Sequence, residues 1–401
     1  MKRNQEGTRI IVSCMLAYTG AYICRLNFSA ALPAVAEAMR LTGARSGLPI
    51  TLFALVYAAG QLISGALTDR VQPRHQILTG LLLTAAVNLA LTAVSGYGGL
   101  VMLWTLNGLP QAMLWTPIVR LISERFDARG QRRASFLLSG TIVAGHLIAW
   151  TLAGTVARRL NWRCSFLLPG CVTLLIASAV FFMQRDIQCP GRAHRASDGA
   201  QSKALPLRAF WLGNGMPLVL LCCLCDGFVR EGVLNWTPTI LAQADGGNGA
   251  LLMPLLSLLG LAMGSLALRV CRGSVRGASA FVLICCLPPA LALLLPMPPA
   301  VRALLLGCLY AAIYSNTPML TTLLPGEYAS CGRVGLCAGV TDCAIYIGAS
   351  LSGTAVGALR DGGGWGRVYL VWAGVLMAGA ALCACSELAR RRAARAHAAQ
   401  E

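Results

Sequence analysis

The sequence predicts an all-α membrane protein of twelve transmembrane helices, arranged as two pseudo-symmetric six-helix bundles. Three observations carry that reading. Of the 401 residues, 56% are hydrophobic and only 12% charged, about half the charged share of an ordinary soluble chain. The hydrophobic residues come in blocks rather than stripes. Residues 249–268 and 367–386 each hold at most one charge, and about twenty residues at 1.5 Å each cross ~30 Å of hydrocarbon. The basic residues fall in short clusters between such blocks, as they do in the loops of a polytopic protein.

Setting apolar blocks against charged or turn-forming breaks gives helices at 9–31, 47–68, 76–96, 98–123, 133–156 and 163–184. Six more follow at 214–241, 249–270, 277–296, 299–324, 331–358 and 366–386. The first block follows a basic start, as a signal peptide does, but it runs on past Arg25 without a small-residue cleavage site and reads as a retained helix. The longest polar stretch, 185–213, contains Pro190, Gly191, Ser197, Gly199 and Ser202 with mixed charge, the composition of a flexible cytoplasmic linker. It leaves 1–184 as one six-helix bundle, 214–386 as the other and 387–401 as a cytoplasmic tail. The halves echo one another: Arg25 precedes Pro33 by eight residues, and Arg230 precedes Pro238 by eight. Each pair lies in the first helix of its half, which suggests two related bundles.

Loop charge orients the chain. With the N-terminus cytoplasmic, 23 of the 33 lysines and arginines fall in cytoplasmic segments and 8 in outer ones. That bias predicts both termini inside, an even number of spans and a bacterial inner membrane as the setting. It also disposes of the nucleic-acid partner that a net charge of +18 invites, because such a partner needs one continuous basic face. The 17 cysteines sit mostly inside apolar blocks and show no metal-ligand or redox spacing. Neither a nucleophile constellation nor a cofactor motif appears, so the chain is expected to be no enzyme, with no metal and no cofactor.

Five charged residues fall well inside the predicted spans: Arg25, Asp226, Arg230, Glu231 and Asp342. Each costs roughly 2.5–3.5 kcal/mol near a helix centre if it meets lipid, so they are expected to face a wet cavity or each other. Asp226 and Arg230 stand four apart, about 40° around the helix, in the order that favours an ion pair. Glu231 points about 100° away from Arg230 and need not share its surroundings. An arginine fork takes a carboxylate or phosphate in two-point geometry. Arg25 and Arg230 therefore read as a symmetric anion clamp. Asp342 reads as a proton site or as an arginine's fixed partner, and Asp226 as a coupling or ion-pair residue.

Four stretches resemble known transporters. Gly65-Ala66-Leu67-Thr68-Asp69-Arg70-Val71-Gln72-Pro73-Arg74 is similar to the cytoplasmic motif G-x-L-x-D-R-x-x-x-R of the major facilitator superfamily. In that superfamily the motif latches the cytoplasmic helix ends, which implies that role for Gly65, Asp69, Arg70 and Arg74. Tyr22-Ile23-Cys24-Arg25-Leu26-Asn27-Phe28, the run from Gln111 through Trp115 and Pro117 to Arg120, and Arg230 through Trp236 to Pro238 resemble the organophosphate:phosphate antiporters. That resemblance implies substrate binding by Arg25 and Arg230, with Tyr18, Tyr22, Asn27, Gln111 and Trp115 around them. The chain departs from the family in three ways. Gln61 stands where characterised members commonly carry lysine, the family's histidine would fall near Ile142 with His146 one turn on, and Asp226 and Asp342 are unusual acids.

The function implied is a secondary carrier of a small organic anion, a phosphate ester or a carboxylate, moved by alternating access. The coupling ion would be a proton or inorganic phosphate, and the other partners expected are membrane lipid and no further subunit. A proton-coupled drug exporter of the same fold is the alternative; it would need a large apolar cavity with one acid and no paired arginines. A non-transporting sensor is a third reading.

Overall fold

The computed structural model describes residues 2–68, 70–185, 187, 215–244, 249, 252–328 and 334–398, and every regular element among them is helical. The chain separates into two compact units, Met1–Asp198 and Gly199–Glu401. The first unit holds α1 (Lys2–Ala38), α2 (Gly43–Thr68), α3 (Pro73–Leu91), α4 (Tyr97–Arg125), α5 (Ala128–Arg159) and α6 (Cys164–Gln184). The second begins with α7 (Met216–Gln243) and α8 (Leu252–Val270). In α9, Val275–Cys285 is continued by Leu287–Ala292, the break falling just before Pro288 and Pro289. In α10, Pro299–Tyr314 is followed by a π-helical turn, Met319–Leu323, and by Leu324–Gly326. The helical run Val334–Ala398 is interrupted at Gly363 and at Gly364, whose φ of 69° suits glycine. It therefore forms two helices, α11 (334–362) and α12 (365–398). The linker expected at 185–213 lies, but for Arg185 and Ile187, outside the described residues.

Eight helical segments among the described residues are long and apolar enough to cross a membrane, and one of them, Cys337–Arg392, is 56 residues long, the length of two crossings. α3, α4 and α7 are not in that set, though they have 19, 29 and 28 residues and so the length of a span. For α7 the reason is plain: Asp226, Arg230 and Glu231 stand in its middle.

Several helices outrun the expected bounds. α1 continues through Pro33 to Ala38 instead of stopping at 31, since a proline inside a membrane helix is tolerated where neighbours re-satisfy the freed carbonyl. The segment expected as a tail, 387–401, is helical as far as Ala398. Glu387 starts this extension, accepting from Arg390 at 2.9 Å and from Arg391 at 2.7 Å, one turn on, where opposite charges meet on a helix.

Packing inside each unit follows the membrane rule that small residues let helix backbones approach. In the second unit a side chain added at Gly227 of α7 would overlap the carbonyl of Ile345 in α11, and one added at Gly348 of α11 would overlap the carbonyl of Leu224 in α7. The two helices thus meet backbone to backbone, one residue from Asp226. In the first unit the core is apolar: Ile10, Cys14, Ala17 and Ala21 of α1 pack with Leu81 of α3, Leu114 and Ile118 of α4 and Val180 of α6. Large apolar side chains stay exposed on the outer faces, among them Leu62, Leu175, Phe182 and Leu259, where lipid is the solvent.

Candidate substrate-binding site

Tyr18, Tyr22 and Arg25 recur at four and then three residues along α1, so they share one face, and all three are half-buried. α2 provides the floor for the arginine. Its guanidinium carbon lies 4.5 Å from the centre of the Tyr57 ring and 5.6 Å from that of Phe53, a cation–π platform worth about 0.5–2 kcal/mol. Phe53 stacks on Trp104 at 5.4 Å, and Trp104 on Phe28 at 4.6 Å, so the platform rests on buried rings. Gln61 donates to the Tyr57 hydroxyl at 2.7 Å, and its own carbonyl lies 3.5 Å from Thr116 Oγ1. Gln61, at the position where the family resemblance implies a lysine, is a neutral amide that orients the arginine's platform.

The tyrosines extend the site along α1. The Tyr18 ring meets Tyr22 edge-on at 5.1 Å and Trp115 of α4 at 5.0 Å. Tyr22 lies 5.1 Å from the ring of His146 on α5. His146 is buried, with Nδ1 2.6 Å from the Ile142 carbonyl. The histidine one turn past the family position therefore joins the aromatic wall.

Two expected site residues stand elsewhere. Asn27 is fully buried on another face of α1. Its amide donates to Asn88 Oδ1 at 2.8 Å and to the Ser165 carbonyl at 3.0 Å, tying α1 to α3 and α6. Two residues past Arg25 is about 200° around a helix, which turns Asn27 away from the arginine. Gln111 is also buried, and its amide donates to the Ala21 carbonyl at 3.0 Å. It holds α4 against α1 behind the tyrosines.

In the second unit, Arg230 Nη1 donates to Thr317 Oγ1 of α10 at 2.8 Å, and Nη2 to Glu231 Oε1 at 3.2 Å. The ion pair expected with Asp226 is thus taken by the neighbouring glutamate. Glu231 is held in turn by Asn235, whose amide lies 3.3 Å from Glu231 Oε2. Asp226 accepts instead from Asn316 Nδ2 of α10 at 2.9 Å. Asp342 is half-buried on α11. The 205 positions that separate Arg25 from Arg230 also separate Gln111 from Asn316 and Ala21 from Asp226. In both units, then, an amide on the fourth helix reaches the first helix at the equivalent turn, to a backbone carbonyl in one and a carboxyl in the other. That constant spacing is a signal in the sequence for the role of Asn316; for Thr317, Tyr57 and Phe53 only the three-dimensional packing reveals it.

Asp69 of the latch motif lies outside the described residues. Gly65 is in α2 and Arg70 is exposed just beyond it. Arg74 donates to the Arg185 carbonyl at the end of α6. Arg120 donates to the Thr68 carbonyl and, at 3.4 Å, to that of Val71, while pairing with Glu124 at 2.7 Å. A cation on the last carbonyls of a helix caps it, so Arg120 fixes the C-terminal end of α2 within the first unit.

Residues 14–340 match the sequence profile of the Major Facilitator Superfamily. The chain is 25% identical over 259 residues to the glycerol-3-phosphate transporter of Bacillus subtilis, covering 59% of this chain and 58% of that protein. It is 28% identical over 269 residues to the probable sulfoacetate transporter SauU of Cupriavidus necator, covering 61% and 60%. It is 27% identical over 180 residues to the membrane sensor protein UhpC of Escherichia coli, covering 44% and 40%. The matches thus span about three fifths or less of these relatives. Among solved structures, the nucleoside transporter NupG superposes with a TM-score of 0.77 at 13% identity, covering 95% of this chain and 99% of that one. This likeness concerns the fold.

Proposed function

Since the chain belongs to the Major Facilitator Superfamily, and is thereby an integral multi-pass membrane protein, we propose that it is a secondary transporter moving a small organic anion by alternating access. The observation that carries this reading is the arginine in the middle of the first helix of each unit. Arg25 rests on an aromatic platform and Arg230 is held by Thr317 and Glu231. The phosphate- and sulfonate-bearing substrates in the names of the two transporter relatives support an anionic cargo. The local charge narrows it. Gln61 of the first unit is neutral where the family resemblance implies a cation, and in the second unit Glu231 offsets Arg230, so each unit offers less positive charge than the resemblance alone implies. A monoanion, such as a carboxylate or a singly charged sulfonate, fits that balance better than a phosphate-ester dianion.

The test is uptake into proteoliposomes holding the purified chain. Monocarboxylates, short sulfonates and glycerol 3-phosphate are expected to compete in that order. A preference for the phosphate ester would overturn the charge balance, saturable uptake of cations or neutral drugs would favour an exporter, and binding without flux would favour a sensor.

Both termini belong on the cytoplasmic face of a bacterial inner membrane, with a monomer as the working unit. Reporter fusions at residues 200 and 401 are expected to read alike, both cytoplasmic. Opposite readings would exclude an even number of spans.

A further inference from the structure

Two carboxyl groups in α7 stand near one guanidinium, and the geometry gives it to Glu231. Arg230 Nη2 lies 3.2 Å from Glu231 Oε1, whereas Asp226 makes no ion pair among the described residues. Asp226 is fully buried. Oδ1 accepts one hydrogen bond, from Asn316, and Oδ2 meets no hydrogen-bond partner among the described residues. A carboxylate in that place would bury a full charge against a single donor, which is unfavourable. A neutral carboxyl escapes most of that penalty. Asn316 is itself fixed, its Oδ1 accepting from Ser279 of α9 at 2.6 Å, with Cys383 of α12 lying 3.6 Å from that serine. The carboxyl thus sits in a buried, pre-formed socket built by four helices of the second unit.

We propose that Asp226 is a proton-binding site of the transport cycle, and that the proton and the anionic substrate bind cooperatively through Arg230. Few charged groups face Asp226. On α7 these are Arg230 and Glu231, together with the thiols of Cys222, Cys223 and Cys225. α9 and α12 present the thiols of Cys286 and Cys383, and α10 the neutral Asn316. Asp342 and Cys337 of α11 act on Cys223, and Arg276 of α9 acts on Cys383. The cation acting on Asp226 is therefore Arg230, one turn away. A substrate anion at Arg230 takes up the positive charge that would otherwise steady an Asp226 carboxylate, so Asp226 holds its proton more tightly while the anion is bound. By linkage, protonation of Asp226 strengthens anion binding by the same factor. The proton adds to a carboxylate oxygen from one aqueous phase and leaves to the other. With a monoanion as cargo no net charge moves.

The transport arm of the test rests on the anion-carrier reading above; the spectroscopic arm does not. Infrared difference spectra of the substrate-free, purified chain at neutral pH are expected to show the carbonyl stretch of a protonated carboxyl. The band should vanish in Asp226→Asn and persist in Asp342→Asn. It should shift in Asn316→Ala, which keeps the acid but removes its donor, so a misfolded Asp226→Asn leaves a second variant to read. An absent band in the wild type, or one that survives Asp226→Asn and leaves with Asp342→Asn, overturns the proposal. In proteoliposomes with a lactate probe, a one-unit pH gradient supports up to about ten-fold accumulation of a monoanion moved with one proton. Asp226→Asn is expected to abolish accumulation while counterflow persists; full accumulation by that variant would again overturn the proposal. Failure of the wild type to move any anion, with the infrared band in place, would count against the carrier reading and leave the proton site standing.

Discussion

Arg25→Lys is expected to weaken anion binding ten-fold or more, and Arg25→Ala to weaken it further. Lysine keeps the charge but loses the planar fork and the stack on Tyr57, 4.5 Å away. A charge-assisted hydrogen bond contributes about 1.5–3 kcal/mol, and about 1.4 kcal/mol is a factor of ten in affinity. Tyr57→Phe keeps the ring and gives up only the hydroxyl that accepts from Gln61, so its loss should be several-fold smaller. Titration of the purified variants with whichever anion raises the wild type's melting temperature makes the measurement. A ligand that binds Arg25→Ala as tightly as the wild type is not held by this arginine, and the anion site would have to be sought elsewhere.

The largest effect on stability is expected where no charge is involved. At Gly227 an added methyl would fall on the Ile345 carbonyl and its backbone neighbours. Backbone cannot rotate away as a flexible side-chain end can, so α7 and α11 would have to separate. Overpacking a fitted core costs about 1–3 kcal/mol, and Gly227→Ala should sit at the upper end, with Gly227→Leu beyond it. Gly374→Ala is the control, because a methyl there meets nothing within 4 Å and replaces glycine in a helix with a better helix former. Thermal unfolding in detergent should show a clear loss for Gly227→Ala and none for Gly374→Ala. Equal melting temperatures would mean that the two helices are not in backbone contact.

These two sites show what a sequence can and cannot yield. Block hydrophobicity exposes the helices, because lipid demands some twenty apolar residues whatever their order. Arg25 and Arg230 stand out for the complementary reason, as charges where charge is costly. What spacing leaves open is the choice of partner. Asp226 and Arg230 satisfy the one-turn rule, yet Arg230 bonds Glu231 and Thr317. Neighbours in sequence can join long side chains that start 100° apart, and α10 supplies acceptors that no local pattern reveals. A motif fixes identity and not facing, and the amide of Asn27 is used inside the first unit, turned away from Arg25. The ends of α1 and α12 were illegible for another reason. Pro33 and the charged run after Glu387 both look like stops, and neighbouring helices or local ion pairs carry the helix through.

The last helix, α12, is fastened to both ends of α7. Trp365 Nε1, at the start of α12, donates to Gln243 Oε1 at the end of α7 at 2.8 Å; Ser386 Oγ, about two thirds of the way along α12, donates to the carbonyl of Gly215 at the start of α7 at 3.1 Å. Only Gly363 and Gly364 part it from α11, which lies backbone to backbone with α7. The three form a braced strut with no slack loop to take up sliding. Shear inside this frame would break a pin at either end, so the frame transmits force as a solid piece. The compliance that a working cycle needs must then come from outside it, and the interrupted helices α9 and α10, with their proline break and π-helical turn, are the members of the same unit built to yield.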